Sequence, residues 1–280
     1  MLQVLAAAAL WAVSGVVARG LFQRSVDPVH LVQVRMIVGG AALVPLILAR
    51  RTGSLPRGTL PGVAAYALGL AAVQLTYFEA VAEAGVATAI FLQYTSPLMV
   101  SAWEAVRTRR VPPPALSAAL FAATAGSALL VLSGRSASVS PAGLAWGIGA
   151  AVTMAVSTLI AGRMRRRGVA ATALLGYGLL AGSLVFVPVR APWTALATVA
   201  PADVPYFLYV AVFATAVPFT LYAAALAVLP GGVAMLLAML EPVAAAALAW
   251  VALGERLSAV QLAGGALILA AITLATRAER

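Results

Sequence analysis

The sequence has no cysteine, no lysine and a single histidine among its 280 residues. Without cysteine there is no disulfide, thiolate metal site or iron–sulfur cluster. Without lysine there is no Schiff-base chemistry, and His30 alone cannot form a histidine metal site. Both aspartates, Asp27 and Asp203, lie in predicted loops. A membrane-embedded enzyme would need a nucleophile and base or a metal centre, so we expect no enzymatic activity, no metal and no cofactor.

Charge is also scarce, since charged residues make up 9% of the chain and hydrophobic residues 63%. This composition is typical of a protein that crosses a membrane several times. Apolar segments of spanning length lie near 2–21, 30–49, 60–80, 86–106, 114–132, 141–162, 170–189, 204–227, 231–253 and 259–276. They predict an all-α integral membrane protein with ten transmembrane helices. The first segment has no basic residues before it and is expected to be a retained helix, not a cleaved signal peptide.

All 18 basic residues are arginines, and their distribution predicts the orientation. With the N-terminus inside, twelve lie on the cytoplasmic side: Arg50, Arg51, Arg57, Arg107, Arg109, Arg110, Arg163, Arg165, Arg166, Arg167, Arg277 and Arg280. Five lie outside: Arg19, Arg24, Arg135, Arg190 and Arg256. The positive-inside rule therefore places both termini in the cytoplasm. Because topology explains the arginines, the net charge of +10 does not indicate nucleic-acid binding.

An internal repeat relates the two halves of the chain. Tyr77–Pro97 aligns without gaps onto Tyr222–Pro242, an offset of 145 residues. Ala12–Ser14 aligns onto Ala155–Ser157 at an offset of 143. Such agreement predicts that helices one to five repeat as helices six to ten.

The predicted halves are residues 1–134 and 140–277. Each contains five helices, an odd number, so the two halves cross the membrane in opposite senses. This inverted-repeat plan is found in many secondary transporters, which bind substrate near the midplane between the repeats.

Glu241 and Pro242 stand in the middle of the ninth apolar segment. A carboxylate at the centre of a membrane costs roughly 2.5–3.5 kcal/mol on insertion scales. Pro242 withholds an amide donor from the helix. One interpretation is a functional site at mid-membrane depth, and the other is a glutamate that pairs with a neighbouring helix and holds the bundle together.

These residues resemble the EamA type of the drug/metabolite transporter superfamily. The resemblance is carried by Glu241-Pro242, Leu253–Leu257 and Gln261–Ile268, with Ser96-Pro97 in the first half. It implies ten helices in two five-helix repeats. The whole sequence is also similar to exporters of aromatic amino acids of the YddG kind.

The resemblance implies that helices three, four, eight and nine surround a central cavity, with parts of one and six. The candidate cavity residues are Gln74, Tyr77, Phe78, Gln93, Tyr94, Phe219, Tyr222, Met235, Met239 and Glu241. The residue types favour part of this set independently, because lipid cannot satisfy Gln74, Gln93 or Glu241 and they should face the interior. Aromatic and methionine side chains beside them offer an adaptable apolar surface.

The predicted function is export of small metabolites across the cytoplasmic (inner) membrane of a bacterium by alternating access. Amino acids, aromatic or otherwise apolar, are the favoured substrates, and Pro97, Pro218 and Pro242 are the candidate hinges. Glu241 is a candidate proton-binding group, which makes protons a candidate coupling partner beside the substrate and the lipid bilayer. A broad drug/metabolite exporter, a passive channel for small neutral solutes and a sensor without transport are the alternatives.

Two further residues carry expectations. His30, at the start of a predicted helix, is expected to be exposed to water. Arg35 lies about five residues into the second apolar segment. It either extends to the outer interface or takes part in binding substrate or pairing with a glutamate.

Overall fold

Capping residues and prolines mark where the helices begin. Asp27 accepts a hydrogen bond from the His30 amide (3.1 Å), and Ser140 accepts one from the Gly143 amide (3.0 Å). Pro28 and Pro141 follow these caps in the first turn, where no amide donor is needed. Gly85, with φ +81°, ends one helix and precedes the next, because a residue without a Cβ accepts this conformation at little cost.

A computed structural model of the chain describes residues 2–132, 140–229, 231–253 and 257–278. The predicted loop residues Arg135, Arg256 and Arg280 lie outside these ranges, as does part of the motif at 253–257. Within them the chain is helical and contains no strand. This agrees with the all-α prediction.

The first part of the chain, as far as residue 132, contains six helices. They are α1 (Leu2–Gln23), α2 (Pro28–Ala49), α3 (Leu60–Ala84), α4 (Val86–Gln93), α5 (Ser96–Thr108) and α6 (Pro114–Leu132). The fourth predicted span therefore consists of two helices, α4 and α5, which are separated at Tyr94 and Thr95.

The described residues of the second part form eight helices and a π-helical segment. The helices are α7 (Pro141–Arg166), α8 (Ala171–Ser183), α9 (Pro192–Ala197), α10 (Val204–Leu208), α11 (Val217–Ala225), α12 (Gly231–Ala238), α13 (Leu240–Leu253) and α14 (Ala259–Ala278). A π-helical segment, Tyr209–Ala216, joins α10 to α11, and short 3-10 turns lie at Leu184–Phe186 and Pro201–Asp203.

Six helical stretches among the described residues are long and apolar enough to cross a membrane. They are Leu2–Gln23, Pro28–Ala49, Leu60–Ala84, Pro114–Val131, Pro141–Arg166 and Pro201–Ala225. Shorter apolar helices cover Ala171–Phe186, Val233–Leu248 and Ala259–Leu274. The chain is thus a helical membrane protein, while the count of ten membrane-spanning helices stays a prediction.

Among the described residues, the most extensive contacts between helices join α3 to α7 and α6 to α14. Close approach in the second pair depends on Gly126 and Gly264. A Cβ placed on Gly126 would lie 2.7 Å from the Gly264 carbonyl oxygen, and one on Gly264 would lie 2.6 Å from the Gly126 carbonyl oxygen. Small residues at such crossings let two helix backbones pack directly together.

The expectation for His30 was wrong. Its side chain is buried, and Nε2 lies 2.8 Å from the Ala195 carbonyl oxygen in α9. The short helix α9 packs against α2 and covers this end of it.

Candidate functional site

A cavity of about 50 Å³ lies at the centre of the protein. Its lining comes from α1, α2, α3 and α7, from α11, and from the two broken helices α4–α5 and α12–α13. The lining residues are Trp11, Ser14, Arg35, Val73, Gln74, Tyr77, Gln93, Tyr94, Ser96, Met154, Phe219, Met235, Ala238 and Glu241. One water needs roughly 10–15 Å³ on this measure, so the cavity has room for a few waters.

The two helix breaks meet at this cavity. The first is at Tyr94 and Thr95, and the second is at Met239, which the repeat offset of 145 relates to Tyr94. Pro97 lies three residues after Tyr94, and Pro242 lies three residues after Met239. Because proline has no amide hydrogen, Pro242 cannot donate to the carbonyl oxygen of Ala238, four residues earlier.

The Tyr94 hydroxyl takes the place of the missing donor. It lies 2.8 Å from the Ala238 carbonyl oxygen and 2.7 Å from Oε2 of Glu241. All three residues are buried or line the cavity. A side chain from the first break thus binds both the backbone and the carboxyl group of the second.

When Glu241 is ionised, the Tyr94 hydroxyl has one proton, but two acceptors compete for it: the Ala238 carbonyl oxygen and the Glu241 carboxylate. If Tyr94 donates to Ala238, the carboxyl group needs its own proton to donate to the tyrosine oxygen. When the carboxylate is ionised, the Tyr94 hydroxyl donates its hydrogen bond to Glu241, and the Ala238 carbonyl oxygen is left without this donor. Protonation of Glu241 therefore changes the hydrogen bonding of the α12–α13 break.

Replacing Tyr94 with phenylalanine is expected to lower the free energy of unfolding. The change removes the hydroxyl that lies within hydrogen-bonding distance of both Ala238 and Glu241. Hydrogen bonds between helices contribute about 0.6 kcal/mol on average and up to about 1.7 kcal/mol. We expect a loss of about 1–2 kcal/mol, measured by denaturant or thermal unfolding in detergent. The control is Tyr66→Phe, because Tyr66 is a buried residue whose hydroxyl forms no hydrogen bond to any described residue. Equal stability of the two variants would contradict this role of Tyr94.

Arg35 enters the same cavity from α2, and only 2% of it is exposed. Its Nε and Nη2 lie 2.8 and 2.5 Å from the Thr215 hydroxyl, and Nη2 lies 3.2 Å from the Ala214 carbonyl oxygen. The guanidinium carbon is 4.6 Å from the centre of the Phe78 ring, a cation–π distance. Of the two alternatives for Arg35, extension to the membrane interface is therefore wrong.

The π-helical segment supplies the oxygens that bind Arg35. Pro218, just after this segment, has no amide hydrogen and so donates no hydrogen bond to the preceding turn. The Thr215 hydroxyl also lies 2.6 Å from the Val210 carbonyl oxygen. The wider turns of a π-helix are often found at functional sites. Here the backbone of the segment accepts a hydrogen bond from Arg35, a side chain of α2 that lines the cavity.

Gln74 lies on α3 beside Arg35 in the cavity lining. Only 2% of it is exposed, and its Nε2 has no hydrogen-bond acceptor among the described residues. A buried amide donor without an acceptor is unfavourable. Trp11 Nε1, which also belongs to a cavity-lining residue, likewise has no partner among the described residues. The cavity therefore contains buried donors from Gln74 and Trp11 that lack an acceptor, beside the guanidinium group of Arg35.

The sequence prediction named ten cavity residues, and the structure brings seven of them to the cavity. These are Gln74, Tyr77, Gln93, Tyr94, Phe219, Met235 and Glu241. Phe78 lies against Arg35, and Met239 is buried at the second helix break. Tyr222 lines a smaller neighbouring cavity of about 10 Å³ that also contacts Phe219.

Several lining residues were not among the predicted ones, notably Trp11, Ser14 and Met154. The Trp11 ring packs edge-on to Phe219 and Tyr222, with centroids 5.0 and 5.7 Å apart. The repeat contained a signal for this set, because Ser14 lies within the aligned stretch and the same offset of 143 relates Trp11 to Met154. Among the described residues there is no cluster of three His, Asp or Glu side chains that could hold a metal.

Comparison with known proteins assigns the class of this fold and site. The model of the EamA-like transporter family matches residues 1–132 and 141–277. The chain belongs to the EamA-like transporter family and is a membrane transporter by class.

Relatives along the whole chain agree with this assignment. The chain is 29% identical over 287 residues to the uncharacterized inner membrane transporter YicL of Salmonella typhimurium, covering 98% of this chain and 94% of that protein. It is 26% identical over 279 residues to the uncharacterized transporter YwfM of Bacillus subtilis, covering 99% and 93%. A crystal structure with 21% sequence identity superposes with a TM-score of 0.79 over 99% of this chain and 96% of the other, which shows a shared fold.

Proposed function

We propose that this protein is a secondary transporter that exports small metabolites, with aromatic or other apolar amino acids as its substrates. It acts by alternating access through the central cavity. The similarity to YicL, named as an inner membrane transporter, supports a location in the inner membrane of a bacterium. The arginine distribution supports cytoplasmic N- and C-termini.

The observation that carries the proposal is that residues related by the sequence repeat line one cavity from both halves. These pairs are Trp11 and Met154, Gln74 and Phe219, Gln93 and Ala238, and Ser96 and Glu241. Inverted-repeat transporters place substrate between their repeats in this way. The repeats are proposed to be residues 1–134 and 140–277, each with five membrane-spanning helices, and the two successive matches to the family model support these bounds.

Three prolines are proposed as bending points during transport. Pro97 and Pro242 follow the two helix breaks, and Pro218 follows the π-helical segment. Each withholds a backbone hydrogen bond from its helix, which makes bending easier there. Some movement is required, because the cavity of about 50 Å³ is too small for an aromatic amino acid.

The lining supports substrates with an apolar or aromatic side chain. Trp11, Tyr77 and Phe219 present ring surfaces, while Met154 and Met235 are flexible apolar side chains. Glu241 is proposed to bind and release the coupling proton, since its protonation changes the hydrogen bonds at the α12–α13 break.

Counterflow in liposomes tests the proposed function. Purified protein should exchange external labelled phenylalanine, tryptophan or leucine for the same unlabelled amino acid inside, with saturable kinetics. The panel is run with and without a pH gradient, and protein-free liposomes are the control. No movement of any apolar or aromatic amino acid would defeat the substrate proposal. Flux without saturation or counterflow would indicate a passive channel, and exchange of many unrelated drugs a broad exporter.

A further inference from the structure

Arg35 is a buried cation without an anion. Among the described residues it forms no ion pair, and its partners are the neutral oxygens of Thr215 and Ala214 and the ring of Phe78. Its Nη1 has no hydrogen bond to a described residue. A charged group at membrane depth is costly and is usually paired. The present contacts orient the guanidinium group but leave its charge uncompensated.

Gln74 supplies a second free donor in the same cavity. Its Nε2 is buried and has no acceptor among the described residues. A carboxylate accepts hydrogen bonds on two oxygens and binds strongly to the forked donors of arginine. A carboxylate in the cavity would therefore supply both the missing negative charge and the missing acceptors.

Glu241 does not supply this carboxylate. It lines the same cavity, yet in the described structure it binds Tyr94 and forms no ion pair with Arg35. The cavity therefore keeps one cationic and one acidic group apart. A ligand that carries both charges can compensate Arg35 with its carboxylate and face Glu241 with its ammonium group.

We propose that Arg35 and Gln74 bind the carboxylate of the transported molecule, and that the substrate class is the zwitterionic α-amino acid. The inference rests on the proposed transport function and adds to it the groups that recognise the amino-acid backbone. Apolar lining residues then receive the side chain, so the charged part of the substrate is bound by residues different from those that select the side chain.

The test compares three matched molecules: phenylalanine, phenylalaninamide, which lacks the carboxylate, and 3-phenylpropionate, which lacks the ammonium group. Each competes for phenylalanine counterflow in liposomes. We expect phenylalaninamide to compete at least tenfold more weakly than phenylalanine in the wild-type protein. Arg35→Gln is expected to weaken competition by phenylalanine at least tenfold, while competition by phenylalaninamide changes less than twofold. Gln74→Met should weaken competition by phenylalanine by a smaller factor of about three to ten.

The matched control is Arg19→Gln. Arg19 also donates to backbone carbonyl oxygens, those of Val81 and Ala82 at 2.8 and 2.9 Å, but it does not line the cavity. This variant should retain the wild-type preference for phenylalanine over its amide. If Arg35→Gln retains that preference while phenylalanine is still transported, the carboxylate site is wrong and the proposed function stands.

Ligand-induced thermal stabilisation of the wild-type protein gives a test that needs no variant. Phenylalanine should raise the melting temperature in detergent, and phenylalaninamide at the same concentration should not. Equal stabilisation by both, or by neither, would overturn the inference. Stabilisation by phenylalanine alone, without any flux in liposomes, would support the carboxylate site and contradict the transport proposal.

Discussion

Replacing Glu241 with glutamine is expected to remove the dependence of transport on a pH gradient. Glutamine has nearly the same shape and can still accept a hydrogen bond from Tyr94, but it cannot bind or release a proton. We expect gradient-driven transport of phenylalanine to fall at least tenfold, which corresponds to about 1.4 kcal/mol. Counterflow without a gradient should persist, because exchange at equal pH requires no net proton movement.

The control for this prediction is Glu83→Gln. Glu83 lies on α3, is exposed and lies outside the cavity lining, so its replacement should leave the pH dependence unchanged. Normal transport by the Glu241 variant with an unchanged response to the gradient would contradict a role in proton coupling. Glu241 would then have the structural role of joining the two helix breaks through Tyr94.

Replacing Gly264 with alanine is expected to destabilise the pair formed by α6 and α14. The added Cβ would lie 2.6 Å from both the Gly126 carbonyl oxygen and the Leu130 amide nitrogen. Both are backbone atoms, so relief requires one helix to move away from the other. Overpacking of this kind costs about 1–3 kcal/mol, and we expect a corresponding fall in the unfolding free energy measured in detergent.

The neighbouring Gly265→Ala is the matched control. A Cβ on Gly265 would approach no neighbouring atom closer than the Leu130 Cδ1 at 3.9 Å, an ordinary van der Waals contact. Because alanine favours helix over glycine by up to about 1 kcal/mol, this variant should be as stable as the wild type or more so. A similar loss in both variants would contradict the role of the contact with Gly126, because helix propensity alone would stabilise both.

Sequence patterns predicted an all-α chain and the two places where a helix is interrupted near a proline. Pro97 and Pro242 marked the two interrupted helices, because a proline removes a backbone donor whatever its surroundings. The internal repeat also related Tyr94 to Met239, where the two breaks occur. Local chemistry determines these features, so they can be read without knowledge of the packing.

The rotation of each helix about its axis was harder to predict. In a membrane protein both the lipid-facing and the protein-facing sides of a helix are apolar, so the hydrophobic pattern does not separate them. Trp11 and Met154 therefore gave no individual sign that they line the cavity. Arg35 was ambiguous because the π-helical segment that supplies its partners, Ala214 and Thr215, has no recognisable sequence pattern. His30 is covered by α9, a helix of six residues with too little pattern to predict.

The cavity side chains and the bent backbone share the same hydrogen bonds. Arg35 donates to the Ala214 carbonyl oxygen in the π-helical segment, and Tyr94 lies within hydrogen-bonding distance of the Ala238 carbonyl oxygen that Pro242 leaves free. A ligand that accepts a hydrogen bond from Arg35 or Tyr94 in place of the carbonyl oxygen leaves that carbonyl group without its donor. By thermodynamic linkage, any backbone rearrangement that weakens these two bonds must also change the affinity for that ligand by the same free energy. Ligand binding in the cavity and the conformation of the backbone around it are thus coupled by a single free energy.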